Sequence, residues 1–421
     1  YQETVQAGLE ASGPSRAAKP AKFAKEQKKN PTILNGRPSE QTGPPVVLFH
    51  TVFGEFLRDM NNQNLPIRSE IYKLAEDFLW NSADFYTDEA TRLEAIEEPL
   101  KKIWGHFGKS MFGKNNAASD GVLVTDVGNQ VAYRMILEGK NEIGTGGSDP
   151  TLQMSISYRG YWSQGDSQRI RDICCCPTFG IAIAGPWMCI LGAVFLDKAA
   201  LRLSFTTLDN FYRGLANSND DGQQRYFPHF REFTDSPFTY ISQLTEPTRL
   251  VWKAKITHDQ RLIVVKFTRR YNDTAHALCA RNQLAPTLLY FGDGVETLAG
   301  FHVVIMDYID HQPLQPSKIQ NLVSRRNIYN DVLQAVTLLH NEQYVFADLR
   351  NPNILIYTTN GAQHSMLIDF DWCGVDDRDT YPLSLSRKIP WPNGVQPGGL
   401  LCKAHDLTWL DVLRRGLKLT N

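Results

Sequence analysis

Four polar residues in the C-terminal half of the chain follow one another in the order that phosphoryl transfer from a nucleotide requires. This chemistry needs a lysine that holds the phosphates, an acid that orients the acceptor hydroxyl, and Asn and Asp ligands for magnesium. The candidates are Lys266 in "IVVKF", Asp348 and Asn353 in "ADLRNPN", and Asp369 in "LIDFD". We therefore predict that Lys266 binds ATP and that Asp348 is catalytic. Asn353 and Asp369 are predicted to bind Mg2+.

Three polar residues further upstream suit a different chemistry, the metal-dependent cleavage of a phosphodiester. That reaction needs two acids that share Mg2+ (or Mn2+) and a lysine near the attacking water. The run "GVLVTDVGNQVAYRMILEGKN" predicts a hairpin with Asp126 on its first strand and with Glu138 and Lys140 on its second. Residues two apart share one face of a strand, so Glu138 and Lys140 are neighbours. Asp126 is predicted to reach them across the hairpin, which makes both acids catalytic metal ligands.

Hydrophobic periodicity predicts the elements that must position these residues. Residues 66–104 have apolar residues at helical spacing, and "SDPTLQMSISYRGYW" predicts a helix capped by Ser148 or Asp149. "PTFGIAIAGPWMCILGAVF" predicts two strands, with Trp187 and Phe195 in the core of the sheet. From "FTYISQ" onward the pattern predicts three strands, a short helix, a strand at "FHVVIMDYID" and a long helix. The predicted fold class is α/β, with two domains of different architecture.

Composition excludes several classes of protein. The 421 residues are 42% hydrophobic, which suffices for two domains, and no run of about 18 apolar residues predicts a membrane span. Seven cysteines without zinc-ligand spacing favour a reduced, intracellular protein. The net charge of -1 provides no overall basic footprint for nucleic acid. Residues 1–45 are rich in Ala, Lys, Pro, Gly and Ser, which predicts a flexible basic tail; its lysines suit a solvated segment, a nuclear address or a phosphate-binding arm.

The second module resembles the fungal-specific protein-kinase-like family and, more broadly, the kinase domains at the C-termini of Crinkler-type effectors and related toxins. The matching words, over roughly residues 240–412, are "VVKF", "LAPTLLYFG", "ADLRNPNILI", "LIDFDWCG", "YPLSLSRKIPWPNGVQPGG" and "HDLTWL". The resemblance implies a minimal bilobal kinase-like domain that uses ATP and magnesium. By position, Asp406 in "HDLTWL" is similar to the buried helix acid that braces a kinase catalytic loop.

The second module also departs from the kinase pattern. The segment "LTEPTRLVW" has no glycine where a phosphate-covering loop needs close approach of the backbone, and "FA" replaces the His-Arg before the catalytic acid. No glutamate follows Lys266 at the helix position that pairs with such a lysine; His276 and Asp273 are the nearest candidates. The end of the chain soon after "HDLTWLDVLRRG" predicts a truncated C-lobe. A nucleotide-binding pseudokinase is therefore an alternative to an active kinase.

The first module resembles the PD-(D/E)xK nuclease superfamily over about residues 65–205. The residues that match its acid, Glu-x-Lys and Gln-x4-Tyr motifs are Asp126, Glu138, Lys140, Gln153 and Tyr158. The resemblance implies a restriction-endonuclease-like mixed sheet flanked by helices, with DNA, or RNA, as substrate. An acid on an upstream helix completes many such sites, and Glu76 and Glu94 are both candidates.

Crinkler-type proteins, and fungal spore-killing proteins of related design, often join such a nuclease domain to a kinase domain. We therefore predict a tail over residues 1–45, a nuclease-like domain over 46–235 and a kinase-like domain over 236–421. The predicted protein is an intracellular effector or toxin that cuts DNA with Mg2+ and binds ATP, its second domain transferring phosphate or regulating the nuclease. Two alternatives are an active Ser/Thr-type kinase whose first domain is a platform for a host or self partner, and a non-catalytic nucleotide-sensing scaffold.

Overall fold

The computed structural model describes residues 2–10, 13–28, 33–62, 64–109, 111–112, 117–196, 199–202, 208–215, 225–245, 249–293, 298–310, 312–359 and 361–420. The chain divides into two compact units. The first comprises Tyr1–Phe230 with Glu296–Ala299, and the second comprises Arg231–Val295 with Gly300–Asn421. No helix in these ranges is long and apolar enough to cross a membrane.

A mixed sheet is the centre of the first unit. The strands of the unit are β1 (Met111–Phe112), β2 (Ala117–Ala118), β3 (Gly121–Val127), β4 (Gln130–Lys140), β5 (Thr178–Ala184), β6 (Trp187–Phe195) and β7 (Ala199–Arg202). The sheet has the order β3-β4-β5-β6-β7, in which β4 and β5 are parallel and the other neighbours are antiparallel. The hairpin predicted around Gly128 is the β3/β4 pair, and the two strands predicted after the helix are β5 and β6.

Helices connect and cover this sheet. They are α1 (Gln2–Leu9), α2 (Pro14–Ala17), α3 (Pro20–Glu26), α4 (Thr51–Asn61), α5 (Ser69–Ala83), α6 (Glu89–Trp104), α7 (Pro150–Trp162), α8 (Gln168–Ile173) and α9 (Leu208–Leu215). Because β4 and β5 are parallel, the chain must cross over between them, and α7 with α8 makes this connection. The Asp149 side chain caps α7 by accepting hydrogen bonds from the N–H groups of Thr151 and Leu152, as the sequence predicts. α7 packs on both β4 and β5.

The N-terminal segment differs from the flexible tail that its composition predicts. Its described residues include α1, α2 and α3, and the side chains of Ala17, Ala18 and Phe23 are buried. α1 and α2 pack against α7. Since α7 is buried nearly all round, it needs cover on its outer side as well as on the sheet side, and the N-terminal helices provide it. Lys29, one of the lysines of this basic segment, lies outside the described residues.

Only one of the two aromatic residues predicted in the core of the sheet is buried. Phe195 is 1% exposed, whereas Trp187 is 67% exposed. Trp187 pairs with Ala184 at the turn end of the β5/β6 hairpin. The first five residues of β6 are not buried, so this end of the hairpin lies outside the covered part of the sheet.

An antiparallel sheet begins the second unit. The strands of the unit are β8 (Glu232–Phe233), β9 (Ser236–Gln243), β10 (Val251–Ile256), β11 (Leu262–Thr268), β12 (Leu288–Gly292), β13 (His302–Asp307), β14 (Gln312–Pro313), β15 (Tyr344–Val345), β16 (Ile354–Thr359), β17 (Ala362–Leu367) and β18 (Gly374–Val375). The main sheet has the order β12-β13-β11-β10-β9-β8. β11, which carries Lys266, lies between β10 and β13. The loop between β9 and β10, predicted to cover phosphates, includes residues 246–248, which lie outside the described residues.

Helices and short hairpins complete the second unit. Its helices are α10 (Asp273–Arg281), α11 (Leu322–Asn341) and α12 (Lys403–Gly416). Buried residues of these helices form one apolar cluster with Phe346, Leu349 and Phe370. Because β16 pairs with β17, and β15 with β18, the loop after β15 and the loop after β17 lie side by side against this cluster.

Candidate active sites

Lys266, on β11, makes ion pairs with two carboxylates of the loop after β17. Its Nζ lies 2.5 Å from Asp369 Oδ1 and 2.5 Å from Asp371 Oδ1. Burial disfavours the charge on the lysine, but the two carboxylates outweigh it and raise the pKa of Lys266. Burial raises the pKa of Asp371 to about 7, whereas Lys266 overrides burial and holds the pKa of Asp369 below its ordinary value. A charged lysine therefore lies beside an ionised Asp369, as phosphate and metal binding require.

Asp348 and Asn353 lie in the loop between β15 and β16 and are hydrogen-bonded to each other. Asn353 Nδ2 donates to the Asp348 carboxylate at 2.8 Å and to the Asp348 backbone carbonyl at 2.9 Å. The backbone N–H of Ile368 donates to the Asn353 carbonyl at 3.0 Å, which joins this loop to the loop that carries Asp369. Both side-chain bonds of Asn353 use its amide nitrogen, so its amide oxygen is the atom left for a metal ion.

Arg350 is a residue of this site that the motif spacing does not predict. Its Nη2 donates to Asp348 Oδ2 at 2.7 Å and its Nε donates to Asp348 Oδ1. The guanidinium also lies 5.1 Å from the ring of Trp391. A bidentate pair of this kind fixes the orientation of a carboxylate. The sequence feature that could have predicted this contact is a basic residue two positions after the predicted catalytic acid.

Asp406, on α12, supports the same loop from the inside of the unit. It is fully buried and accepts hydrogen bonds from the N–H groups of Phe346 at 2.8 Å and Ala347 at 3.0 Å, with His340 Nε2 3.0 Å away. Ala347 has a φ of 71° and Asp369 a φ of 72°, a left-handed backbone that residues other than glycine seldom adopt. The Asp406 carboxylate on α12 therefore helps to hold the loop between β15 and β16 in its strained conformation at Ala347.

Replacing Asp406 by alanine is expected to lower the free energy of unfolding of the second unit by about 3 kcal/mol, because two buried N–H groups lose their acceptor. Urea-dependent hydrogen exchange of peptides covering residues 344–356 measures this change. Asp411→Ala is the matched control, since Asp411 lies on the same helix and pairs with the exposed Arg415. The control is expected to change stability by less than about 1 kcal/mol. Equal losses in the two variants would contradict the role of Asp406.

His276, on α10, lies against the apolar cluster. Its ring stacks on Phe370 with centroids 4.9 Å apart, and its two nitrogens lie 2.8 Å from Tyr271 Oη and 2.8 Å from the Pro286 carbonyl. Burial lowers the pKa of His276 to about 4, although the bond to the carbonyl opposes the shift. The ring is therefore neutral at pH 7.

The second unit is expected to lose about 1–2 kcal/mol of stability between pH 7 and pH 5 because of His276. In this range the unfolded chain protonates the imidazole at its ordinary pKa, whereas the folded ring, with its pKa lowered to about 4, stays neutral. Acid therefore favours the unfolded state. His276→Phe lacks this titration, so its free energy of unfolding should fall less than that of the wild type. The difference between the two proteins should therefore shrink by about 1–2 kcal/mol from pH 7 to pH 5. Hydrogen exchange of peptides covering α10 at the two pH values measures it; parallel pH profiles would exclude this account.

Glu138, on β4, is the centre of a buried polar cluster in the first unit. Its side chain is 0% exposed, Gln153 Nε2 donates to its Oε2 at 2.6 Å, and Ser157 Oγ donates to its Oε1. Positions 153 and 157 are four apart on α7 and so lie on one face of the helix. Gln153 therefore contacts the Glu138 carboxylate, and its role in supporting a metal site stays a prediction. The helical spacing from Gln153 was the signal for Ser157.

Asp120, immediately before β3, lies next to Glu138. Its Oδ2 accepts a hydrogen bond from the N–H of Gly139 at 2.7 Å. Burial, followed by the charge of Asp120, raises the pKa of Glu138 well above its ordinary value. Burial also raises the pKa of Asp120, against the effects of the Gly139 N–H and Lys140. Two carboxylates that resist simultaneous ionisation therefore share this end of the hairpin.

Asp126 does not belong to this cluster, so the prediction that it shares a metal ion with Glu138 is wrong. The β3/β4 register pairs Asp126 with Val131, at the turn, and Gly121 with Leu137, at the other end. Val131 and Glu138 are seven positions apart, roughly 23 Å along a strand. Asp126 is also exposed. A hairpin joins residues that are equally far from its turn, and this rule alone puts Ser119 opposite Glu138. The register shift between Leu123 and Val124 moves the pairing by one position and brings Asp120 to this place.

Lys140 directs its ammonium group towards the start of α6. Its Nζ lies 2.8 Å from Oε2 of Glu89, the first residue of that helix. The buried Arg92, one turn later, makes an ion pair with the turn after β4 and holds α6 in place. Glu89 is thus the helix acid at the site, whereas the predicted candidates Glu76 and Glu94 are exposed.

Tyr158, the second predicted supporting residue, lies apart from the carboxylates. It is fully buried, and its Oη donates to the Cys176 carbonyl at 3.0 Å. Burial raises the pKa of Tyr158 well above its ordinary value. This contact joins α7 to the entrance of β5, where Cys174, Cys175 and Cys176 are buried. Tyr158 therefore has a structural role in the first unit.

The oxygen donors at both sites are of the type that magnesium prefers. In the described part of the chain, no group of three or more His, Cys, Asp or Glu side chains is arranged to hold a metal ion. Each site instead offers two oxygen donors, from Asp120 and Glu138 in the first unit and from Asn353 and Asp369 in the second. Mg2+ commonly binds one or two carboxylates and keeps several waters or phosphate oxygens. A divalent cation would also compensate the mutual repulsion of the two carboxylates in the first unit.

The C-terminal part of the chain contains a protein-kinase-like domain. Residues 297–372 match the family described as RIO domain, an atypical protein kinase family. The match includes Asp348, Asn353 and Asp369 but not Lys266. A solved structure, that of the kinase PK-1 of Cydia pomonella granulovirus, is similar to 43% of this chain and 68% of its own, with 19% identity and a TM-score of 0.34. No curated protein matches the chain.

Proposed function

We propose that the second unit binds ATP with Mg2+ and transfers the terminal phosphoryl group to a hydroxyl acceptor. The observation that carries this proposal is the Asp348–Asn353 hydrogen bond at 2.8 Å beside the Lys266–Asp369 ion pair at 2.5 Å. Strained backbone and buried acids with fixed orientations are costly to stability and concentrate at sites of chemistry.

Each site residue has a distinct role in this transfer. A bound Mg2+ would supply positive charge that neutralises the charge developing on the phosphates. Asn353 and Asp369 would hold the ion, and Lys266 would hold phosphate oxygens with its charged ammonium. Asp348 orients the acceptor hydroxyl and accepts its proton. Arg350 keeps the Asp348 carboxylate in place.

Incubation of the full chain with γ-labelled ATP and Mg2+ tests this proposal. We expect label on the chain itself or on a generic acceptor such as casein, and loss of labelling on chelation of the metal or in Lys266→Met. ATP with Mg2+ should also raise the midpoint of thermal unfolding of the wild type, and should raise that of Lys266→Met by a smaller amount because its affinity is weaker. A wild type that neither binds nor transfers would refute the proposal. Binding without transfer would establish the pseudokinase alternative.

We also propose that the first unit is a restriction-endonuclease-like domain that cleaves DNA with Mg2+. The specific observation is the convergence of Asp120, Glu138 and Lys140 at one end of the β3/β4 hairpin, with Gln153 bonded to Glu138. Asp120 and Glu138 would hold the metal ion. Lys140, oriented by Glu89 at 2.8 Å, would position the attacking water or stabilise the charge that develops on the phosphate.

Nicking of supercoiled plasmid by the full chain in the presence of Mg2+ tests the second proposal. We expect cleavage that a chelator abolishes and that Lys140→Met reduces. A parallel reaction with single-stranded RNA distinguishes the two nucleic-acid substrates. A wild type that cuts neither DNA nor RNA would refute the proposal, and a partner-binding platform would then be the preferred function of the first unit.

The two activities together would suit an effector or toxin of the Crinkler type that acts on DNA in the nucleus. In this arrangement the second unit regulates the first. Plasmid cleavage measured with and without ATP tests the regulation, and we expect the rate to change several-fold. If neither activity is present, the nucleotide-sensing scaffold remains, and ATP-dependent stabilisation would be its surviving property.

A further inference from the structure

α10 provides no carboxylate to Lys266. In protein kinases the strand lysine pairs with a glutamate of the following helix, and this pair must be in place for transfer. The substitutes that the sequence suggests are His276 and Asp273, but over the described ranges Lys266 forms ion pairs with Asp369 and Asp371 only. Both nitrogens of His276 are already engaged by other groups. The partner of the lysine must therefore come from elsewhere.

Asp371 has the contacts that such a partner needs. Its Oδ1 lies 2.5 Å from Lys266 Nζ, and its Oδ2 accepts a hydrogen bond from Thr268 Oγ1 at 3.1 Å. Lys266 and Thr268 are two apart on β11 and share one face of the strand, so a single carboxylate contacts both. The ring of Tyr271 lies 5.5 Å from the ammonium. Asp371 is thus joined to the strand that carries the lysine.

Asp369 cannot be the permanent partner, because the proposed function gives its carboxylate to Mg2+. Once Asp369 is engaged by a metal ion, Asp371 is the carboxylate that still orients the lysine. We propose that Asp371 is the positioning residue of Lys266 and replaces the helix glutamate of protein kinases. This inference rests on the proposed binding of ATP by the second unit. Since the lysine is held by residues outside α10, its orientation does not depend on the position of that helix.

Binding of ATP with Mg2+ by variants of the full chain, measured by calorimetry, tests the role of Asp371. Asp371→Asn is expected to weaken binding about tenfold, because it removes a charge-assisted bond to the lysine. Asp371→Glu keeps the carboxylate and is expected to restore affinity to within about threefold of the wild type. Thr268→Val leaves the Asp371–Lys266 contact in place but removes the second contact of Asp371, together with the bond of Thr268 to the Arg270 carbonyl, and should weaken binding about threefold.

A double-mutant cycle separates positioning of the lysine from a general structural effect. In the Lys266→Met background, Asp371→Asn should cause no further change beyond about twofold, because its partner is already absent. Asp377→Asn is the matched control: Asp377 is exposed and undergoes the same chemical change six residues further on. It should bind like the wild type. The midpoint of thermal unfolding without nucleotide verifies that each variant is folded.

The outcomes distinguish this inference from the proposed function beneath it. A wild type that does not bind ATP refutes the proposed function itself. A wild type that binds ATP, with Asp371→Asn binding equally well, refutes only the role of Asp371. Additive effects of Lys266→Met and Asp371→Asn would also overturn the inference, as would failure of a folded Asp371→Glu to recover affinity.

Discussion

Asp348→Asn is expected to reduce phosphoryl transfer by about 10²–10⁴-fold and to leave binding of ATP with Mg2+ nearly unchanged. The carboxylate is buried, is held by Arg350 and Asn353, and is the only atom group in that loop that can accept a proton from an acceptor hydroxyl. Asparagine has the same shape and still accepts a hydrogen bond from Arg350, so the loop should keep its structure. Label transfer from γ-labelled ATP and calorimetric binding of ATP measure the two effects separately.

Asp377→Asn is the control for Asp348→Asn, since it makes the same chemical change at an exposed position of the same unit. Transfer by the control should equal that of the wild type. The assignment of Asp348 as the catalytic acid fails if Asp348→Asn retains more than about a tenth of the wild-type rate. If transfer and binding were lost together, the residue would be structural rather than catalytic.

Glu138→Gln and Asp120→Asn are each expected to reduce Mg2+-dependent plasmid cleavage by at least about 100-fold. Either change removes one of two carboxylates that would hold the metal ion. Glutamine at 138 can still accept the hydrogen bond from Ser157 or from Gln153, so the buried cluster should keep its packing. Initial rates of nicking at several Mg2+ concentrations measure the effect, and a weaker metal-binding site should show partial recovery at high Mg2+.

Asp126→Asn is the matched control for these two variants and decides between two positions of the site. Asp126 lies on the same strand pair, but it is exposed and at the turn end of the hairpin. It should cleave plasmid at the wild-type rate, within about twofold, because surface substitutions seldom perturb a distant site. Loss of cleavage in Asp126→Asn together with full activity of Asp120→Asn would restore the assignment made from the sequence.

Much of the second site could be predicted from the sequence because its residues lie at short, characteristic spacings. Asp348 and Asn353 are five positions apart in one loop, and their hydrogen bond follows from that spacing. The contact of Asp406 with the loop spans 60 positions between the carboxylate and the Phe346 N–H, and only the resemblance to kinases suggested it. Asp371 as a partner of Lys266 had no local signal, because that ion pair joins a strand to a loop 105 positions away.

The first site shows that the identity of its residues depends on the register of the β3/β4 hairpin. The alternation of apolar residues predicted the β3/β4 hairpin, and the Glu-x-Lys spacing placed Glu138 and Lys140 on one face of a strand. The acid that faces them depends on counting outward from the turn, and a register shift between Leu123 and Val124 alters that count by one position. Glu89 reaches Lys140 only because α6 folds back over the sheet, which no spacing along the chain indicates.

By itself, the sequence determined the β3/β4 and β5/β6 hairpins, the helix α7 and the spacing of the kinase-like motif residues and of the Glu-x-Lys pair, because periodicity and short spacings act within a few residues. The tertiary structure alone decided the partners that come from distant segments. These are Asp120 for Glu138, Glu89 for Lys140, Asp371 for Lys266, and the N-terminal helices for α7. The reason is that buried charges and apolar faces need a partner of suitable chemistry, and packing selects that partner without regard to separation along the chain.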